Sequence, residues 1–282
     1  MPNRSLLEEI DFVANLSNLV TAYEEIAVMR IQRTRSSVLN TRLFVAEMKK
    51  VMADVRLSYR RAFFLKKNIK KTVAKNKKPL AVLISADNRL SGSLINEIYR
   101  NFYIHTKQND CDVLIVGKIG AQLFVTANPQ KKFTYFGFPD RILDNSLLTK
   151  IFSHVDKYTD VHVFYGKMAS LLRQEAIQER LGVTAEHQDT EKNKGVVPFI
   201  FEPTLEEVSR FFDTEILASL ISQSVHEGQL ATWGSRVKAM EETSQRIEKQ
   251  TALLTRLESV ERHAEMSKKQ RQTMAGRELW EH

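Results

Sequence analysis

Glycine and proline are missing from residues 3–78 of this 282-residue chain, which holds 10 glycines and 6 prolines in all. With the two strongest helix breakers absent over so long a stretch, nothing local stops a helix once it has started. The prediction is one very long N-terminal helix. Cysteine is nearly missing as well. Cys111 stands alone, which excludes an internal disulfide and a thiolate metal site and points to a reducing compartment. Asp110 and Asp112 flank it and would raise a thiol pKa, so it reads as an unreactive loop thiol. No run of eighteen apolar residues occurs, and the opening Met1-Pro2-Asn3-Arg4 has neither a signal-peptide core nor an acid-poor transit segment. A soluble, cytoplasmic chain is expected.

Ligand loops are also lacking. Asp87-Asn88-Arg89-Leu90-Ser91-Gly92-Ser93 sits where a phosphate loop would, between a strand and a helix, but carries one glycine. It reads as a turn. Val116-Gly117-Lys118-Ile119-Gly120 is likewise read as a strand ending in a turn, with no ligand assigned. The histidines, His105, His154, His162, His187, His226, His263 and His282, form no metal-binding pair with a carboxylate or thiol beside them. No cofactor and no catalytic group is therefore expected.

What is present is charge and periodicity. Lysine and arginine number 42 against 34 acids, a net charge of +8, which favours an acidic partner: nucleic acid, a membrane surface or an acidic protein collar. Leu6, Val13, Val20 and Ala27 repeat every seven residues, with Leu16 and Tyr23 three residues after Val13 and Val20, the narrow seam of a coiled coil. The partner helix is expected at the other end. Residues 235–275 lack glycine and proline, and Met240, Ile247 and Leu254 again recur at seven.

Between the two ends the pattern changes to apolar bursts bounded by turn residues, at 79–85, 112–117 and 160–165, which read as buried strands. Helical spacing at 94–102 and 143–155 lies between them, so a parallel sheet is expected, with 133–138 as a further strand. Residues 168–183 fit a helix by spacing, with Leu171, Leu172, Ala176, Ile177 and Leu181 on one face, although sheet pairing could extend them. Residues 186–195 read as an exposed loop before 196–201. The expected architecture is an α/β domain of Rossmann type, 61–204, inserted between an N-terminal coiled-coil helix, 1–60, and a C-terminal one, 205–282, that pairs with it antiparallel.

Arg30, Arg33, Arg35 and Arg42 crowd the middle of the first helix, and Arg30 takes the seam position that Leu16 and Tyr23 hold. A charge buried in a seam is costly. Either the helix leaves its partner there, or Arg30 faces an acidic surface on another protein, or the face is simply solvated. The basic run 66–78 reads as a solvated helix end.

Order and spacing over nearly the whole chain resemble the gamma subunit of bacterial and organellar ATP synthases. The family pattern Ile-Thr-x-Ala-Met-x-x-Val-Ala-x-x-Lys-Met is similar in register to Leu19-Val20-Thr21-Ala22-Tyr23 through Ile26-Ala27 to Arg30-Ile31, with several letters changed. Its Ser-Asp-Arg-Gly-Leu-Cys-Gly-Gly-Leu-Asn resembles Ala86-Asp87-Asn88-Arg89-Leu90-Ser91-Gly92-Ser93-Leu94-Ile95, and its Tyr-Glu-Pro resembles Phe201-Glu202-Pro203. Glu-x-x-x-Arg-Met-x-Ala-Met returns as Thr232 to Met240, and Ala-Arg-Gln-x-x-Ile-Thr as Glu261 to Ser267. The departures are Thr232, Arg246, Ile247, His263 and Lys269, which stand for glutamate, asparagine, a small residue, glutamine and glutamate.

The resemblance implies a non-catalytic rotor shaft in a rotary ion-translocating ATP synthase or ATPase. Its coiled coil would enter a head of alpha- and beta-type nucleotide-binding subunits, with an epsilon-type stalk subunit and a membrane ring of c-type subunits at its foot and no nucleic acid involved. It implies that Arg30 and Arg33 meet acidic loops of the head and that Arg236, Arg262, His263 and Ser267 meet its inner collar, with Tyr23 and Met240 as further contacts. The complex would sit at the cytoplasmic face of the cell membrane. The departures leave open a divergent rotary ATPase with another output, such as sodium pumping or mechanical movement. A basic coiled-coil scaffold is the other alternative.

Overall fold

The computed structural model describes residues 4–65, 78–138, 145–170, 173–182 and 204–278. The basic run 66–77, Leu171 and Leu172, and the segments 186–195 and 196–201 lie outside the described residues. The elements run α1 (Arg4–Leu65), β1 (Leu80–Ile84), α2 (Leu94–Gln108), β2 (Asp112–Val116), α3 (Lys118–Ala127), β3 (Thr134–Phe136), α4 (Asn145–Val155), β4 (Asp160–Met168), β5 (Gln174–Gly182) and α5 (Leu205–Glu278). Two long helices thus bracket a five-stranded sheet of order β3-β2-β1-β4-β5.

β1 pairs in parallel with β2 and β4, and β2 with β3, the arrangement expected from strands separated by helices. β5 differs. It runs antiparallel to β4 over nine residue pairs from Asp160↔Gly182 to Met168↔Gln174, so the sheet is mixed and the helical spacing of 168–183 is overridden. The amides of Ala169 and Ser170 donate to the Arg173 carbonyl at 3.0 Å, which ties the end of β4 to the start of β5, and pairing with a buried strand outweighs local periodicity. The turn read at Gly117 opens α3, which the sequence did not announce. Gly117 has φ +104°, and a Cβ on Gly120 would meet Ser85 Oγ at 2.6 Å and Leu83 Cδ2 at 2.8 Å, so α3 starts hard against β1.

By packing, the chain forms two compact units. One joins the residues up to Met29 with those from Arg236 on; the other is Arg30–Ser235. The larger unit has a core on each face of the sheet. Val82, Ile84, Leu114, Val163 and Tyr165 pack with Ile151 of α4 and Ile221 and Val225 of α5. Ala81, Leu83, Ile115 and Phe164 pack with Ile98 and Phe102 of α2, Phe124 of α3 and Ala231 of α5. Cys111 lies in the loop between α2 and β2, as expected, but belongs to this second cluster at 3% exposure; burial, more than its acidic neighbours, pushes the thiol pKa up.

Within the larger unit Arg30 of α1 meets Trp233 of α5, and Arg42 meets Glu227, so sequence number rises on one helix as it falls on the other. The helices are antiparallel. The buried stripe of α1 is Val13, Val20, Ala27, Ile31, Val38 and Val45, with Ser17, Glu24, Thr34, Thr41 and Met48 half-buried between them. The intervals alternate four and three without interruption. The second seam position therefore lies four residues after Val13, Val20 and Ala27, and the expected set, Leu16, Tyr23 and Arg30, falls on the seam's flank. On α5 the seam is Met240, Ile247 and Leu254, as the repeat predicts. Gly276 does not end α5, which continues to Glu278.

Candidate functional site

In open α/β sheets a ligand sits beyond the carboxyl ends of the strands where the strand order reverses, here between β1 and β4. α5 passes through that place. Ile221 and Val225 pack on one face of the sheet and Ala231 on the other, so the helix rounds the sheet's edge between them. Gly228 makes the passage possible: a Cβ there would stand 2.9 Å from Ile84 Cγ2, at the end of β1. Gly166 on β4 does the same from below, 3.0 Å from Ala231 Cβ, and Ser235 Oγ donates to the Ser91 carbonyl at 2.6 Å. The crevice that serves a nucleotide in other sheets is filled by the chain's own helix.

The helix start after β2, at Gly117, is closed in the same way. Asp87 accepts from the amides of Lys118 at 2.7 Å and Phe138 at 3.2 Å, and Ser85 Oγ accepts from Gly120 N–H at 3.1 Å. A carboxylate and a hydroxyl of the chain thus take the amides at the start of α3 that would otherwise hold an anion.

The junction of α1, α5 and the sheet carries polar groups of which the sequence pattern marks only Arg42. Arg42 grips Glu227 with two bonds, Nε to Oε1 at 2.6 Å and Nη2 to Oε2 at 2.7 Å, and Glu227 is wholly buried. Gln223 Nε2 adds a donor to Glu227 at 3.3 Å. Close by, Tyr165 donates to Glu179 at 2.8 Å; burial and then the Glu179 charge push its phenol pKa far up. Six residues further along α5, the Arg30 guanidinium lies 5.8 Å from the centre of the buried Trp233 ring. Arg30 therefore escapes the cost of a seam charge by lying beside the seam, over an aromatic face.

The residues expected to touch partners separate into two groups. Arg236 and Met240 are 3% and 7% exposed, turned into the chain itself. Tyr23, Arg33, Arg262, His263 and Ser267 are exposed, and Arg30 is half-buried; Arg262 is paired with Glu258 one turn earlier. Tyr23 belongs to a second apolar stripe on α1, Phe12, Leu16, Leu19, Tyr23 and Ile26, which continues in the same spacing to Arg30 and Arg33. α5 has its own: Leu253, Leu257, Val260 and Met274 are all more than half exposed, and Ser267 lies on the same line. Each helix thus has a buried seam and, beside it, an open apolar one.

The chain matches the family model described as ATP synthase over residues 3–274. Among curated proteins it is 25% identical over 259 residues to the ATP synthase gamma chain of Roseiflexus sp. (strain RS-1), covering 85% of each chain. It is 26% identical over 258 residues to that of Chloroflexus aurantiacus (strain ATCC 29366 / DSM 635 / J-10-fl), covering 85% of this chain and 86% of the other. In fold it is similar to a chain of the central stalk and c-ring of the Tetrahymena thermophila mitochondrial ATP synthase, with TM-score 0.59 and 20% identity over 80% of this chain and 99% of that one. A rotor chain of the Euglena gracilis mitochondrial ATP synthase aligns with TM-score 0.51 and 12% identity over 84% and 99%.

Proposed function

The chain belongs to the ATP synthase family as a gamma-type, central-stalk chain, and from that premise we propose that it carries torque between a membrane rotor ring and a catalytic head without catalysing anything itself. The observation that carries this reading is the open apolar stripe on each terminal helix. Contiguous exposed apolar surface marks a place where another protein sits, and such stripes on both helices suit a shaft held in a sleeve.

The stripes are unlike. That of α1 ends in Arg30 and Arg33, while that of α5 runs through Ser267 to Met274. A shaft with different faces presented to identical surrounding subunits stabilises a different conformation in each, and turning it moves those populations in sequence. The partners on this reading are alpha- and beta-type subunits around the helices, an epsilon-type subunit, and a c-type ring at the foot. Arg30, Arg33, Arg262, His263, Ser267 and Tyr23 are the contacts. The filled crevice at the sheet edge supports a non-catalytic role. No helix among the described residues is long and apolar enough to cross a membrane. On this reading the chain attaches through the ring, on the cytoplasmic face of the cell membrane.

A second reading, a divergent rotary ATPase with another output, draws on where the family departures fall. Thr232 and Ile247 are buried and Thr232 Oγ1 bonds the Gly228 carbonyl at 2.8 Å, so these two are absorbed internally. Arg246, His263 and Lys269 are exposed and change what a sleeve would meet. Affinity purification of the tagged chain at low salt tests the main reading: it is expected to bring down a nucleotide-binding hexamer, and recovery of the chain without one overturns it. Measuring proton against sodium transport by the recovered complex then separates the two readings.

A further inference from the structure

α2 is held to the sheet in two different ways along its length. As far as Phe102 the grip is apolar: Leu94, Ile95, Ile98 and Phe102 are buried, and Phe102 meets Phe124 and Phe164 edge-on. Beyond it Ile104, Lys107 and Gln108 are exposed, and the side chains that turn inward are His105 and Thr106. His105 lies against His162 of β4, with ring centres 4.5 Å apart, and 5.3 Å from Phe164. One nitrogen of each, His105 Nε2 and His162 Nδ1, is buried with no hydrogen-bond partner among the described residues. Orphaned polar atoms are rare in a folded interior, and here two of them belong to rings in contact.

We propose that His105 and His162 are a proton-operated latch, which closes the last turn of α2 onto β4 and β5 while the pair carries at most one proton and releases that turn when it takes up a second. It stands apart from the rotor reading given above. The groups around the pair accommodate one proton and resist two. From β4, Asp160 Oδ1 stands 3.5 Å from His162 Nε2; from β5, Arg180 holds the two oxygens of Asp160 at 2.7 and 3.0 Å and brings a cation of its own. β1, Leu80–Ile84, brings no charge. At the end of α2 the carbonyls that would welcome a cation are taken, that of His105 by Asn109 Nδ2 at 3.1 Å and that of Thr106 by Lys131 at 3.4 Å. Lys107 is turned onto the Tyr103 ring, and Asp110 is paired with Lys78. Burial and the His162 charge lower the His105 pKa, with Asp160 opposing. Two imidazolium rings in contact repel, and the turn beyond Phe102 has no large apolar anchor to hold it against that repulsion. Released, it lets both rings reach water. The open turn thus binds more protons than the closed one, so acid favours it, below the ordinary histidine value of about 6.5.

Hydrogen exchange of the full-length chain reads the latch directly, as protection of backbone amides corrected for the intrinsic effect of pH. From about pH 7.5 to about pH 5.5, amides 103–109 are expected to lose about ten-fold or more in protection, while those of 98–102 and of β4 hold theirs. The single variants His105→Gln and His162→Gln should each abolish that loss, because either leaves one charge at most. The parent chain alone decides the matter even where a variant does not fold: a loss spread evenly over α2 and the sheet, or no loss at all, overturns the latch. A loss that disappears in His105→Gln and persists in His162→Gln overturns it too, since one buried histidine then accounts for the effect without the pair.

Discussion

The guanidinium of Arg30 sits over Trp233, 5.8 Å from the ring centre, so a charge that falls beside the helix seam is held by an aromatic face of the opposing helix. A partly desolvated contact of this kind contributes about 1 kcal/mol. Arg30→Gln is expected to lower stability by about that much in urea unfolding and to change the fluorescence of Trp233, whereas Arg33→Gln, exposed on the same helix, should change neither.

Gly228 decides the sign of a substitution that usually stabilises. Glycine to alanine within a helix typically gains up to about 1 kcal/mol, but here the new methyl would stand 2.9 Å from a branch of the buried Ile84. Overpacking of this sort costs about 1–3 kcal/mol. Gly228→Ala is therefore expected to lower the melting temperature, and the pair Gly228→Ala with Ile84→Val to recover part of the loss.

Acid should weaken the sheet domain before it reaches the carboxylates. His105 packs 4.5 Å from His162, and burial, then the His162 charge, hold its pKa below the ordinary 6.5, with Asp160 opposing. The folded chain thus binds this proton less readily than the unfolded one. Its contribution is complete above about pH 6.5 and is lost as pH falls from there toward the depressed folded value. Burial also lowers His154, so it adds to the same slope. Asp160, held low by Arg180 against its own desolvation, extends the loss below its ordinary 3.8. Chemical denaturation between pH 5 and 8 is expected to give falling stability toward acid, with a shallower slope in His105→Leu.

The open stripe of α5 should matter for assembly and little for folding. Leu257 and Val260 are more than half exposed, and surface changes of this kind usually move stability by less than about 0.5 kcal/mol. Leu257→Asp with Val260→Asp is expected to leave the melting temperature of the free chain in place and to reduce recovery of the hexamer several-fold. Arg262→Glu with Arg30→Glu is expected to change ATPase activity and coupling in the assembled complex; unchanged values would remove these two from the contact set.

The long helices are legible because missing glycine and proline is a property of the chain itself, and the seven-residue repeat by itself picks out Val13, Val20, Ala27, Met240, Ile247 and Leu254, all of them buried in the seam. The repeat cannot tell a step of three from a step of four. Leu16 and Tyr23 are apolar and belong to the open stripe, so they compete with Ser17 and Glu24; the later run Ile31, Val38, Val45 is the signal that decides it. β5 is ambiguous because its spacing suits a helix and only its partner strand makes it extended. α3 is hidden by the two glycines that let it approach Ser85. The burial of Arg236 and Met240, and the pairing of Arg42 with Glu227 across 185 positions, are tertiary facts with no local trace.

Rotation is the central claim, and it is observed most directly in the assembled complex with the head fixed to a surface. A gold particle attached through Gln108→Cys, at the exposed end of α2 and in a Cys111→Ser background, reports the movement of the sheet domain. Supplying ATP is expected to turn the particle stepwise in one direction, and withdrawing it to stop the motion. A particle that stays fixed while the same complexes hydrolyse ATP would contradict the account.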